Sequence, residues 1–315
     1  MIAIIVAACD RGSTPTAPSR GSAAGSAEAP APLPAPLDDK PAAPSSGCTQ
    51  LPFAESTPVP EASGAAWLTI DGKLELVVVG DSGNNGAYGI VDPDTGATIE
   101  TGKLPLSDEA GDDIEGVSAH GDKIYGLTSA GWMRVWRRSG KGFELVEPPY
   151  PIGPVTLSRK TTKKHAPEGD GMVCDAHTVN CGRNYEGLCL AAAPSSPRCI
   201  GFAASKADGH LYCLTDEAGK LVAHHDRAIE ITRPGALADC AFSEDDTLWA
   251  GSNMFDLGNV YRVAHWDDPA HATLDKVGSL AIGFPELLAV RGDLVYRMSD
   301  TGGAPSLMAK FRCPK

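Results

Sequence analysis

The sequence predicts an all-β protein, a β-propeller of five blades, and three observations support that prediction. Short apolar runs alternate with turn residues from about residue 62 onward, which is the pattern of strands joined by hairpins. No segment has the sustained periodicity of a helix, and 35 glycines and 25 prolines among 315 residues indicate frequent turns. The same order of strands also recurs five times, at a spacing near that of propeller blades.

The five copies align on the hairpin that follows the first strand of each. One copy reads "EGVSAH", "KIYGLTS", "WMRVWRR" and "FELVE", which are four strands separated by short turns. The copies occupy residues 68–100, 113–147, 186–225, 239–278 and 286–313. A long polar insertion, residues 153–183, interrupts the spacing, and a sixth blade is the alternative if this insertion supplies strands.

The last copy stops after three strands, whereas "CTQLPFAE", residues 48–55, is a strand without a blade of its own. If this early strand completes the last blade, both free sheet edges are paired and the ring closes. Antiparallel pairing would then place Cys48 beside Cys313, within reach of a disulfide. We therefore predict a Cys48–Cys313 bond that closes the ring.

The chain divides into three parts. Residues 1–9, "MIAIIVAAC", resemble the lipobox of bacterial lipoproteins, which implies cleavage before Cys9, acylation of its thiol and a location in the bacterial cell envelope, outside the cytoplasm. Residues 10–47 are rich in Pro, Ala and Ser and are expected to form a disordered tether, because they cannot bury enough apolar surface to fold. Residues 48–315 form the propeller domain, including the insertion.

Charge and cysteine content limit the partners and the compartment. A formal charge of −13 leaves no basic stripe for nucleic acid, and the expected membrane contact is the Cys9 lipid alone. The partner is an unidentified protein or small molecule, and we expect a monomer. Apart from Cys9 there are eight cysteines, an even set that indicates disulfides in an oxidising compartment.

The insertion carries two of these cysteines, and we predict that Cys174 and Cys181 form a local disulfide. A zinc site that also uses Asp175 and His177 is the alternative, although the spacing matches no strong ligand pattern. The four remaining cysteines allow three pairings, between which the sequence does not choose: Cys189, Cys199, Cys213 and Cys240.

The tetrapeptide Gly80-Asp81-Ser82-Gly83 matches the one that carries the nucleophile of trypsin-like proteases. Equivalent turns recur after the second strand of every copy, so the surroundings of Ser82 are generic to the repeat. A nucleophilic serine also needs a histidine and an aspartate to activate it, and His120 lies in another repeated hairpin. We interpret Ser82 as a turn residue and assign no catalytic residue.

First strands line the axis of a propeller, and the alignment places one carboxylate at an equivalent position in four copies. Such groups cannot all stay ionised without compensation, and Ca²⁺, which binds six to eight oxygens, is a natural counter-ion. The alternative is that they face a wide aqueous channel or accept hydrogen bonds from backbone amides. The predicted calcium ligands are Glu115, Glu186, Asp239 and Glu286.

The segments "DDIEGVSAHGDKIYGLTS" and "NYEGLCL" resemble first-strand motifs of bacterial phytase-like and esterase-like propellers, and "DSGNN" resembles turns of NHL-type propellers. The resemblance implies a calcium-stabilised propeller and, in some members, hydrolysis of phosphoesters or esters. We expect a lipid-anchored binding or scaffold module that holds calcium. The alternative is a calcium-dependent hydrolase of phosphoesters, esters or lactones.

Overall fold

The computed structural model describes residues 47–155, 173–192 and 199–314, which belong to one compact unit. The predicted lipidation of Cys9, the tether up to residue 46 and the middle of the insertion lie outside the described residues. Within the described ranges, no helix is long and apolar enough to cross a membrane.

The chain begins with two short strands, β1 (Thr49–Leu51) and β2 (Ser56–Pro60), and continues through five blades. Blade 1 contains β3 (Ala62–Ile70), β4 (Lys73–Gly80), β5 (Ala87–Val91) and β6 (Thr98–Lys103). Blade 2 contains β7 (Ile114–His120), β8 (Lys123–Thr128), β9 (Trp132–Ser139) and β10 (Gly142–Pro151). Blade 3 contains β11 (Tyr185–Leu190), β12 (Gly201–Ser205), β13 (His210–Glu217) and β14 (Lys220–Glu230). Blade 4 contains β15 (Leu237–Phe242), β16 (Leu248–Ser252), β17 (Asn259–Ala264) and β18 (Thr273–Ser279). Blade 5 contains β19 (Phe284–Arg291), β20 (Leu294–Asp300) and β21 (Pro305–Arg312).

The predicted five-bladed propeller is confirmed, because each blade is an antiparallel sheet with its strands in chain order. The first strands contact one another in a closed cycle, blade 1 to blade 5 and back. Short 3₁₀ turns at Met254–Asp256 and Pro269–His271 are the helical elements of the described residues. In the described parts of the insertion, a single bridge joins Val155 to Val173 and no sixth blade forms.

The ring closes as predicted. Strand β1 pairs antiparallel with β21, with Thr49 opposite Arg312, and becomes the outer strand of blade 5. A disulfide joins Cys48 to Cys313. On the chain-entropy model a bond that closes so long a loop stabilises the fold by about 4–5 kcal/mol. Strand β2, which the sequence did not separate from β1, pairs with the opposite end of β21, with Ser56 opposite Leu307.

The other cysteines are also paired in the described residues. Cys174–Cys181 is a disulfide, as predicted, so these sulfurs are not thiolates that could bind zinc. Of the pairings left open by the sequence, the structure contains Cys189–Cys240, which joins the first strands of blades 3 and 4. The fourth bond, Cys199–Cys213, lies within blade 3.

A glycine follows the start of the first strand in three successive blades because neighbouring backbones approach closely there. A Cβ on Gly116 would lie 2.2 Å from the backbone nitrogen of Leu188 in the next blade, and one on Gly64 would lie 2.7 Å from Val117. Any side chain would push the blades apart. In the Glu-Gly pair of the sequence, the glycine is therefore required for packing between blades, and the residue just before it is polar.

Candidate metal centre

A one-residue bulge occurs near the start of every first strand. In each blade the pairing with the second strand skips one residue at this point. Because a bulge re-aims a side chain and leaves it out of the ladder, these residues form a ring at one end of the central channel, which we call the mouth. The bulged residues are Ser63, Glu115, Glu186, Ala238 and Glu286.

This register places three of the four expected carboxylates at one equivalent position and the fourth one residue later. Ala238 occupies the bulge of blade 4, so Asp239 takes the next position, where blades 2 and 3 have glycine. Its oxygens accept hydrogen bonds from the backbone N–H of Cys240 (2.7 Å) and of Leu288 in blade 5 (2.8 Å). Asp239 therefore joins two blades. It accepts hydrogen bonds from backbone amides, which is the alternative to calcium binding that the sequence left open.

A second ring surrounds the mouth, formed by the residue that follows the second strand in blades 1 to 4 and that ends it in blade 5. These residues share one position, because each lies directly after the residue paired with the start of the first strand. They are Asp81, Ser129, Lys206, Asn253 and Asp300. The turn after Asp81 contains Ser82, so Ser82 is a turn residue, as predicted, and its neighbour is the one that faces the mouth.

Three carboxyl groups converge between blades 1 and 2. Glu115 belongs to the ring of bulged residues, Asp81 to the second ring, and Asp113 directly precedes β7. One oxygen from each of Asp81, Asp113 and Glu115 lies within 4.8 Å of the other two. Ligands that are each about 2.4 Å from one Ca²⁺ can be at most about 4.8 Å apart, so the spacing suits a shared cation. We call this cluster the blade 1–2 half of the mouth.

Hydrogen bonds engage one oxygen of Glu115 and one oxygen of Asp113, and the second oxygen of Asp113 has no partner among the described residues. Glu115 accepts a hydrogen bond from the hydroxyl of Ser63 (3.0 Å), and Asp113 Oδ2 accepts one from the hydroxyl of Ser129. Asp113 Oδ1 is buried and has no hydrogen-bond partner within the described part of the chain. A buried carboxylate oxygen is costly to leave unpaired, and a cation bound there would offset that cost.

Burial and mutual repulsion act on the whole cluster. Burial raises the pKa of Asp113 to about 6, and the nearby charge of Asp81 adds to the effect against the hydrogen bond from Ser129. Burial likewise raises the pKa of Asp81 to about 6. The pKa of Glu115 is raised well above its usual range by burial and by the charges of Glu186 and Asp81.

The opposite side of the mouth contains its own cation. Lys206 Nζ lies 2.7 Å from Glu186 Oε2 and 3.4 Å from Glu286 Oε1, and it therefore bridges blades 3 and 5. Glu186 also accepts a hydrogen bond from the Asn184 amide (2.7 Å). Burial raises the pKa of Glu186 to about 8, with Lys206 opposing this shift. We call this cluster the blade 3–5 half.

The structure thus keeps Glu115 in a candidate cation site, pairs Glu186 and Glu286 with a lysine, and places two further carboxylates beside Glu115. Sequence reasoning missed Asp81 and Asp113. Asp113 stands two residues before Glu115 in the segment "DDIEG", which is part of the stretch that resembles the phytase-like propellers. Asp81 lies in the repeated turn, and the position of Lys206 in the same turn of blade 3 could have shown that this position carries charge toward the axis.

Comparisons with known proteins give only distant similarities. No protein-family model matches the chain, and no curated protein matches it. Among solved structures, the PQQ-bound aldose sugar dehydrogenase of Streptomyces coelicolor is 16% identical, with 86% of this chain and 100% of that chain covered and a TM-score of 0.47. Glutaminyl cyclase of Myxococcus xanthus is 11% identical, with 85% and 97% covered and a TM-score of 0.49. At such values the strand pairing described above is what establishes the propeller.

Proposed function

We propose that the protein is a calcium-binding propeller, with the ion held at the mouth by Asp81, Asp113 and Glu115. The observation that carries this proposal is the buried oxygen of Asp113 that lacks a partner, within a cluster of three carboxylates. An all-oxygen donor set favours a hard cation, and three carboxylates in this irregular arrangement suit the variable coordination of Ca²⁺ better than the strict octahedron of Mg²⁺.

In this proposal the propeller is an extracytoplasmic binding module, attached to a membrane through Cys9 and monomeric. The four disulfides support an oxidising compartment. Gly47, where the described chain begins, lies beside Pro314 and near the β19–β20 hairpin, at the end of the channel opposite the mouth. A partner can therefore approach the mouth without meeting the point where the tether joins the domain.

Calorimetric titration of the purified chain with calcium tests the proposal. We expect one bound ion and a rise in Tm that a chelator reverses, because a ligand that binds only the folded state stabilises it. Asp113→Asn should abolish binding. Glu286→Gln is the matched control, since it removes a carboxylate from the lysine-neutralised half, and it should retain most of the affinity. No heat and no change in Tm with the unaltered chain would refute the site.

A metal-dependent hydrolase is the second candidate, and the protonation of Glu186 favours it. Its pKa of about 8 makes it a proton donor or acceptor near neutral pH, on the opposite side of the mouth from the proposed ion. A bound Ca²⁺ would polarise a carbonyl or phosphoryl oxygen. Phosphoester, ester and lactone substrates should be turned over in calcium, and Glu186→Gln should lose turnover while it still binds the ion. Equal turnover by both proteins would exclude this role for Glu186.

A further inference from the structure

Ser129 connects the candidate calcium ligand Asp113 to a distant part of the chain. Its side chain is fully buried at the end of β8, and its hydroxyl donates a hydrogen bond to Asp113 Oδ2. Ser129 Oγ in turn accepts a hydrogen bond from the backbone N–H of Asn180 (2.8 Å). With one oxygen of Asp113 engaged in this way, the other, Oδ1, is the one left for a cation.

Asn180 belongs to a loop that is bounded by the Cys174–Cys181 disulfide. Its φ of 52° is in the left-handed region, which asparagine tolerates better than most residues and which turns its N–H toward Ser129. We call residues 174–181 the disulfide loop.

Further hydrogen bonds join the disulfide loop to the segment just before Asp113 and to the turn between β8 and β9. The Ala176 carbonyl accepts from the N–H of Gly111 (2.8 Å), two residues before Asp113. Cys174 donates its N–H to the Ala130 carbonyl (3.1 Å), and its own carbonyl accepts from the indole of Trp132 (2.9 Å). The loop is thus fixed against blade 2 at several points, and its bond to Ser129 lies among them.

We propose that Ser129 is a positioning residue for Asp113, and that the disulfide loop holds Ser129 in the orientation that leaves Asp113 Oδ1 directed at the cation. This inference rests on the proposed calcium site and adds the group that sets its affinity. Groups that orient a metal ligand from behind typically change metal affinity 10- to 100-fold when they are removed.

The test compares calcium dissociation constants, measured by calorimetry, with Tm values in chelator and in calcium. Ser129→Ala should weaken calcium binding about 10-fold and shrink the calcium-induced rise in Tm. Ser129→Thr keeps the hydroxyl and should restore most of the affinity. A Cys174→Ser/Cys181→Ser variant, which loosens the loop but leaves Ser129 in place, should weaken binding by a smaller factor.

Matched controls separate positioning from general stability. Ser252→Ala removes a fully buried hydroxyl at the corresponding end of the second strand in blade 4, and Cys199→Ser/Cys213→Ser removes a disulfide inside blade 3. Both should lower Tm in chelator and in calcium alike and leave the dissociation constant unchanged.

The outcomes distinguish the two proposals. If the unaltered chain binds no calcium, the metal site itself fails and this inference with it. If the unaltered chain binds calcium, Asp113→Asn does not, and Ser129→Ala binds as tightly as the unaltered chain, the site stands and the positioning role is overturned. If Ser129→Ala does not fold, the Cys174→Ser/Cys181→Ser variant decides, and an unchanged dissociation constant in that variant overturns the proposal.

Discussion

The two halves of the mouth solve the same electrostatic problem in different ways. In the blade 3–5 half, Glu186 and Glu286 share the ammonium group of Lys206, which the chain itself supplies. In the blade 1–2 half, Asp81, Asp113 and Glu115 converge with no cationic side chain paired to them among the described residues. We therefore propose the metal site in the half for which the fold supplies no internal counter-ion.

The largest effect should come from removing the internal cation. Lys206→Met leaves two buried carboxylates without their counter-ion, and breaking a buried pair in this way costs about 3 kcal/mol at neutral pH. Denaturant unfolding of the variant and of the unaltered chain, both in chelator, measures the difference. A loss below about 1 kcal/mol would show that the two halves are not neutralised differently.

Neutralising one carboxylate in each half should differ in how the effect depends on calcium. Glu115→Gln relieves repulsion within a cluster that lacks a cation and should raise Tm by about 2 °C in chelator, whereas it should lower Tm in saturating calcium. Glu186→Gln leaves the proposed ligands in place and should shift Tm by the same amount in chelator and in calcium. The comparison is decided by differential scanning calorimetry, and an equal dependence on calcium in the two variants would contradict it.

The pH dependence of stability should also depend on whether calcium is bound. The pKa values of Asp81 and Asp113, raised to about 6 by burial, lie above those of an unfolded chain, so the folded state binds more protons between about pH 4 and 6. Stability in chelator should therefore rise as the pH falls from 7.5 to 5. In saturating calcium the trend should reverse, because protons compete with the ion. An Asp81→Asn/Asp113→Asn variant is the control, since it removes these two groups and retains the other buried carboxyl groups whose pKa is raised, Glu115 and Glu186 among them.

The smallest effect on calcium is expected at Asp239. Its two oxygens are occupied by the N–H groups of Cys240 and Leu288, so Asp239→Asn should lower the unfolding free energy by about 1–2 kcal/mol and leave calcium affinity unchanged. Titration calorimetry provides the check. A clear loss of affinity would return Asp239 to the set of ligands.

The sequence predicts the architecture well because repeats, turn residues and strand alternation are local signals. Ring closure and the Cys48–Cys313 bond followed from one unpaired strand at each end of the chain. The ligand set was harder, because it depends on a bulge of one residue. Nothing in "LADCAF" distinguishes Ala238 from Asp239 as the bulged residue, yet the choice decides whether the carboxylate faces the mouth or the next blade. Asp81 was missed because a charged residue in a Gly-rich turn is indistinguishable from a solvent-exposed one until the turns of all blades are superposed.

The position of Cys48 determines how the domain bears a mechanical load. Cys48 precedes β1, so tension applied through Gly47 meets the sulfur–sulfur bond before it meets the three residue pairs of that short strand. The force passes to Cys313 and to β21, which is hydrogen-bonded to β20 along its length. When force is applied at the N-terminal end of the domain, the disulfide therefore keeps β1 from separating from β21. The mouth, with its carboxylates, lies at the other end of the channel and does not carry this force.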